Sequence, residues 1–401
     1  MYILCTNGSP TVETLDRLQS LPLSIDYRVD YWDDTAAPAT ISEQDELAIR
    51  HALLLRDRVR HISLHLPPSI LQKHLKDIDK PFSILEYLSL SYSSEEDVNL
   101  VLPKTFHAPN LRHLSLPIDI PKRLRFLSST VSLVTLFLKI VRASGYFLPK
   151  ILVARLRFLP QLEELFICFS IPVPRPSAER ELLGKGGTSV TLPNLKFFWF
   201  GGISAYLECL VAQIKAPRLE RLFIQLFNQI TFALPHLSRF INTTEALELS
   251  TITVFFDNNN FTITDRKGHR APFKFTLRVM CKDLDWQIDS ASQICSALIS
   301  TLSGVQTLKL GHKGPMMTTW GNGGIDGTTW HELLRPFMFV NELHICDELS
   351  EELSRALQVD EVGLDPEMLP CLQEIVIQFN GALFGSFIYA RQVAGRPVRL
   401  R

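Results

Sequence analysis

The chain has 401 residues, 46% of them apolar and 21% charged, with a formal net charge of −1. That balance supplies a core and carries no compositional sign of disorder. It also offers no overall attraction for nucleic acid or an anionic membrane, so neither is expected as a partner.

The opening "MYILCTNGSP" lacks the basic start and apolar core of a secretory signal. No run approaches a membrane span of about 18 apolar residues, since even 131–141 is broken by Lys139. Residues 1–58 read as an N-terminal cap. Within them, "LPLSIDYRVDYW" alternates from Leu23 to Tyr31 as a half-buried strand does. Ser42 and Asp45 make a capping box ahead of a helix carrying Leu47, Leu53, Leu54 and Leu55.

From 59 to 380 one pattern recurs, written most clearly as "LERLFI" from Leu219. Near copies are "LEYLSL" from Leu85, "LRHLSL" from Leu111, "LVTLFL" from Leu133, "LEELFI" from Leu162, "LKFFWF" from Leu195 and "LQEIVI" from Leu372. Counting weaker copies, the central positions are Ile62, Leu88, Leu114, Leu136, Leu165, Phe198, Leu222, Leu247, Leu308, Leu343 and Ile375. They fall 22 to 35 residues apart, except for one interval of 61. In a strand the second and third apolar positions of each copy share a face, and the residues around them take the other. One short strand cannot bury that face, whereas stacked copies can. Units of about 20 to 29 residues, a strand with a helical return, are leucine-rich repeats. The expected fold is therefore an α/β leucine-rich-repeat solenoid, with a curved parallel sheet on the concave face and helices on the convex face.

Between these strands the sequence predicts helices at 69–78, 122–127, 147–159, 178–183, 204–214, 235–241, 290–302, 330–337 and 350–357. Pro109, Pro160, Pro193, Pro217 and Pro370 stand one or two residues before a strand copy, where proline ends a helix and pushes its neighbour towards extended geometry. Insertions are expected near 172–193, 251–280 and 311–330. In the second, "TITVFF", "FTIT" and "FKFTLRV" read as strands that form either an extra sheet or irregular repeats. Residues 381–401 form a C-terminal cap.

Seven cysteines without a C-x-x-C pair argue against a zinc module and a disulfide framework. They read as thiols in a reducing compartment, which with the missing signal points to an intracellular protein, cytoplasmic or nuclear. "GKGGTS" at 184–189 lacks the order of a phosphate-binding loop. His61 and His65 lie about 13 Å apart in a strand, too far to share a metal. No G-x-S-x-G elbow presents a serine. No catalytic, cofactor-binding or metal-ligating residue is assigned, and no cofactor or enzymatic activity is expected.

The outward face remains. Its central residues are Ser63, Ser89, Ser115, Phe137, Phe166, Trp199, Phe223, Glu248, Lys309, His344 and Val376. The four aromatics would span about 15 Å, with Phe197 widening the patch. Phe137, Phe166, Phe197, Trp199 and Phe223 are thus the expected contacts for a protein partner. The alternative is that the insertion near 172–193 folds over and buries them.

Several stretches together resemble the leucine-rich-repeat portion of the F-box-like protein family of mushroom-forming fungi. They are "DLDWQIDSASQICSALISTLSGVQTLKL" from Asp283, "WHELLRPFMFVNELHI" from Trp330, "SRALQVDEVGLDPEMLPCLQEIVI" from Ser354 and "SFIYARQVAGRPVRL" from Ser386. The resemblance implies repeats that hold a substrate for a cullin-based ubiquitin ligase, whose adaptor docks on an N-terminal F-box opening with L-P-x-E. Nothing before Leu21 resembles that motif, and "LPLSID" leads into an extended run, which counts against the adaptor as a partner. The expectation is a protein-interaction module similar to a ligase's substrate receptor. The other reading is a stand-alone scaffold or competitor with no link to ubiquitin.

Overall fold

Among the described residues, most runs in which apolar residues alternate form strands. The computed structural model describes residues 3–9, 12–17, 20–28, 41–76, 81–92, 102–103, 105–118, 127–141, 145–170, 189–265, 273–313, 327–357, 368–377 and 381–401. These fall into two compact units, Met1–Trp199 with Gln213–Ala216, and Phe200–Ala212 with Pro217–Arg401. The helices expected at 122–127 and 178–183 and most of the insertions near 172–193 and 311–330 lie outside the described residues. Both units are mixed α/β.

The first unit carries β1 (Ile3–Cys5), β2 (Leu23–Arg28), β3 (Val59–His65), β4 (Tyr87–Ser91), β5 (His113–Ile118), β6 (Thr135–Ile140), β7 (Glu164–Phe169), β8 (Val190–Thr191), the start of β9 (Phe197–Gly202) and β10 (Ile214–Lys215). From β1 to β7 the strands pair in chain order, all parallel, while β8 and β10 make a separate parallel pair. Cys5, Ile25, Ile62, Leu88, Leu114, Leu136 and Leu165 are successive register partners, one buried row across the sheet. A slip of one residue would turn this row to water, so burial fixes the register.

The first apolar position of each copy makes the turn into its strand. The amides of Leu111, Leu133, Leu162 and Leu195 donate to the carbonyls of Ala108, Thr130, Leu159 and Leu192 at 3.1–3.3 Å. Next, one carbonyl accepts two successive amides of the following strand. Glu86 takes those of Arg112 and His113, Arg112 those of Val134 and Thr135, Val134 those of Glu163 and Glu164, and Glu163 those of Lys196 and Phe197, at 2.7–3.0 Å. Asn110 and Asn194 clasp the preceding turn, donating from Nδ2 to Ser83 O (2.7 Å) and Pro160 O (3.0 Å). Pro109 and Pro193 therefore set up an asparagine clasp as well as ending a return segment. Ser42 caps the helix Glu43–Leu54 as expected, accepting from Asp45 N at 3.1 Å. The helices Pro68–Lys76 and Pro149–Leu156 each begin on a proline, where the missing amide costs nothing.

The second unit carries β11 (Arg221–Phe227), β12 (Thr251–Asp257), β13 (Asn260–Thr264), β14 (Phe275–Met280), β15 (Thr307–Lys313), β16 (Glu342–Ile345), β17 (Glu374–Ile377) and β18 (Arg399–Leu400). They lie in the order β11-β14-β13-β12-β15-β16-β17-β18. Here β13 runs antiparallel to both its neighbours, and the other pairings are parallel. The three strand-like runs between 251 and 280 therefore join this unit's sheet. Ile252, Leu308, Leu343, Ile375 and Leu400 are successive register partners.

The repeat centred on Leu247 is corrected. Glu245–Leu247 is a 3₁₀ turn, closed by Leu247 N on Thr244 O (3.0 Å) and by Thr244 Oγ1 on Phe240 O (2.8 Å). The strand starts four residues later, and Ile252 takes the central position.

Two buried polar side chains join elements of this unit. Glu208 accepts from the amides of His236 and Leu237, both at 2.8 Å, and so caps the helix Pro235–Asn242 from the helix Ser204–Val211. Burial outweighs those bonds and pushes its carboxyl above the usual range. Gln287, on the helix Leu284–Ala297, donates from Nε2 to Asp257 O (2.7 Å) and Cys281 O (2.8 Å). Neither role shows in local sequence pattern. Among the described residues no helix is long and apolar enough to cross a membrane.

Candidate interaction surface

In the first unit, the residues that alternate with the buried rows form the outward sheet face. His61, Tyr87, His113, Thr135 and Glu164 are successive register partners in one row, and Asp26, Ser63, Ser89, Ser115, Phe137 and Phe166 in the next. Both rows change character along the sheet. At one end the His61 ring stacks on Tyr87 with centroids 4.1 Å apart, Tyr87 leans on His113 at 5.7 Å, and His65 Nδ1 lies 2.8 Å from Ser91 Oγ. Burial, ahead of the attraction of Asp26 and the repulsion of His113, holds the His61 pKa below its ordinary value.

Further along, the serines give way to phenylalanines. The rings of Phe137 and Phe166 are 5.5 Å apart, and Phe197 meets Phe166 edge-on at 5.1 Å. Cross-strand aromatic pairs of this kind hold one another in place. Phe137, Phe166, Phe197 and Trp199 are all half-buried. They are neither core side chains nor freely exposed ones. Residues 171–188, which the burying alternative requires, lie outside the described residues.

In the second unit the expected contact is Phe223, also half-buried. Its ring packs edge-on against Phe273 at 5.9 Å, and the Arg278 guanidinium carbon lies 5.8 Å from its centroid. Outward from Phe223 the register partners are Thr276, Thr264, Thr253, Lys309, His344 and Val376. Lys309, His344 and Val376 thus hold their expected places, whereas Thr253 stands where Glu248 was expected. Thr264 Oγ1 donates to Phe275 O at 3.0 Å and lies 2.9 Å from Thr276 Oγ1. His344 Nε2 is 2.8 Å from Glu342 Oε1. Phe255 packs against Gly311, where a β-carbon would come within 2.8 Å of its ring.

Tyr87, His113, Phe273, Arg278 and the threonines join these faces beyond the residues expected from the repeat pattern. Tyr87 and His113 were legible, since each directly precedes a central leucine. The others became neighbours of Phe223 through the antiparallel β13, which no repeat spacing predicts.

These side chains offer rings, hydroxyls and a few charges spread over a sheet, an arrangement suited to contact with another surface. Among the described residues no three His, Cys, Asp or Glu gather as a metal site. All seven cysteines are free, and burial pushes the thiols of Cys5 and Cys346 up to about 11.

No family model matches the chain, and no curated protein matches it. Among solved structures it is similar to the crystal structure of the leucine-rich repeat-containing protein LegL7 from Legionella pneumophila. The sequence identity is 12% and the TM-score 0.32, over 100% of this chain and 99% of that one.

Proposed function

We propose that the chain is an intracellular, non-catalytic leucine-rich-repeat module that binds a protein partner through the outward face of its strands. In this reading that face is concave and the helices form the convex back. The observation that carries it is the contiguous ring ladder Phe137–Phe166–Phe197, half-buried on the face opposite the core. Half-covered aromatic clusters are the usual anchors of protein interfaces. The recurring turn and shared carbonyl support the repeat assignment, and seven free thiols support a reducing compartment.

The resemblance of 283–310, 330–345, 354–377 and 386–400 to fungal F-box-like proteins favours a substrate receptor of a ubiquitin ligase as the particular role. A scaffold or competitor with no link to ubiquitin is the second reading, since it needs only the contact surface itself. Affinity capture of the full chain from its native cells tests both. A partner held by the wild type and lost with Phe166→Ala supports the surface. Ligase adaptor in the same eluate favours the receptor, and a partner without adaptor favours the scaffold. A partner held equally by wild type and Phe166→Ala overturns the assignment of the surface.

A further inference from the structure

On the outward face of β11, β14, β13, β12 and β15 the charged residues among the described side chains are Arg221, Arg278, Lys309 and, at the far end of β12, Asp257. This stretch is therefore cationic in a chain whose net charge is −1. Asp257 turns its carboxylate to its own loop, accepting from Asn258 N at 2.6 Å. Among the described residues neither Arg278 nor Lys309 has a carboxylate partner, and both are half-buried. Arg278 is held by the Phe223 ring and by a long bond from Nε to Thr262 Oγ1 (3.4 Å). A half-desolvated cation without a counter-ion is costly, and an arriving anion offsets that cost.

The ground between the two cations is uncharged. Arg278, Thr262 and Phe255 are register partners in one row, and Thr276, Thr264, Thr253 and Lys309 in the next. Arg278 and Lys309 stand three strand spacings apart and two residues out of step along the strands, about 16 Å between α-carbons. An extended peptide rises about 3.4 Å per residue and returns to the same side every second residue. Acidic residues four positions apart span about 14 Å, and the long arginine and lysine side chains close the difference, with the residue midway facing the Phe255 ring.

Building on the reading of this face as a contact surface, we propose that β11 to β15 take an extended acidic segment of a protein partner, of the form acid, any residue, apolar, any residue, acid. One carboxylate lies on Arg278, the other on Lys309, and the apolar side chain on Phe255. The seat of Phe255 depends on Gly311.

The test uses the full chain and three fluorescein-labelled peptides read by fluorescence anisotropy. They are Glu-Ser-Leu-Ser-Glu, its Gln counterpart and its Lys counterpart, each flanked by glycines. The expected result is saturable binding of the glutamate peptide that weakens with salt and falls about tenfold with either Arg278→Gln or Lys309→Gln. The glutamine and lysine peptides should bind far more weakly. Thermal melting of both variants guards against a folding defect, and Lys309, with no aromatic contact, serves as the second probe if Arg278→Gln unfolds. No saturable binding at millimolar peptide, equal binding of the glutamine peptide, or no loss in a folded variant overturns the proposal. Loss of the native partner in Phe166→Ala with the glutamate peptide unbound would sink this assignment alone. Peptide binding with partner capture indifferent to Phe166 would leave this segment site standing and sink the aromatic one.

Discussion

The two units share one inward rule and part company on their outward faces. In the first, a buried row runs from Ile25 to Leu165 through strands that are all parallel, while the outward row moves from serine to phenylalanine. In the second, the buried row from Ile252 to Ile375 obeys the same alternation, yet β13 runs the other way and the outward row is threonine, then lysine and histidine. Core packing constrains only half of each strand. The other half is free to differ, and under the proposed function that difference sets partner choice.

The shared inward rule breaks first if the buried rows are not equivalent. Leu165→Ala and Leu308→Ala should each cost about 2–5 kcal/mol in urea unfolding, and a loss under about 1 kcal/mol at either would separate the units on that point. A cost of about 2–3 kcal/mol is expected for Gln287→Ala, which strips two buried carbonyls of their donor. In the first unit the half-buried Arg58 likewise donates to two carbonyls, Leu21 O and Leu15 O, so the contrast lies in how deeply the donor is buried. Gly311→Ala should cost about 1–3 kcal/mol by forcing the Phe255 ring to move. Adding Phe255→Ala should restore most of that loss, and a double variant no better than the single would refute the clash.

On the aromatic face, Phe166→Ala should lower stability by about 1–2 kcal/mol, because its ring has a neighbour on each side. Trp199→Ala should stay below the 3–5 kcal/mol of a core aromatic. A melting shift of that larger size would make the patch satellite core. The smallest effect concerns pH. The His61 pKa is lowered by burial, so the fold binds this proton less readily than the unfolded chain does. Stability from the neutral ring is complete above the ordinary imidazole value of about 6.5 and is lost as pH falls through the lowered one. His61→Gln should flatten melting temperature against pH in that window, and an unchanged slope would assign the dependence to other groups.

Much of this was legible in the sequence. Leu88, Leu114, Leu136 and Leu165 were placed as neighbours by spacing alone, and Pro149, Ser204 and Pro235 begin helices within two residues of the expected starts. Periodicity reports which side a residue faces, because that is a local property of the strand. It does not report which strand lies alongside. The hairpin of β12 and β13 and the return of β14 to β11 broke the period, hid Arg278 and Phe273 from view, and misdirected the repeat expected at Leu247. Long-range polar bonds such as that of Glu208 were illegible for the same reason: the partner amides sit 28 and 29 residues away.

The shared carbonyl at each step has a consequence for how either unit comes apart. Val134 can seat Glu163 and Glu164 only while its own amide is seated on Arg112, so the strands support one another as a staircase does, each tread resting on the last. Heat should unravel such a staircase from its free ends, and deuterium should enter β1 and β18 well before β5 and β15.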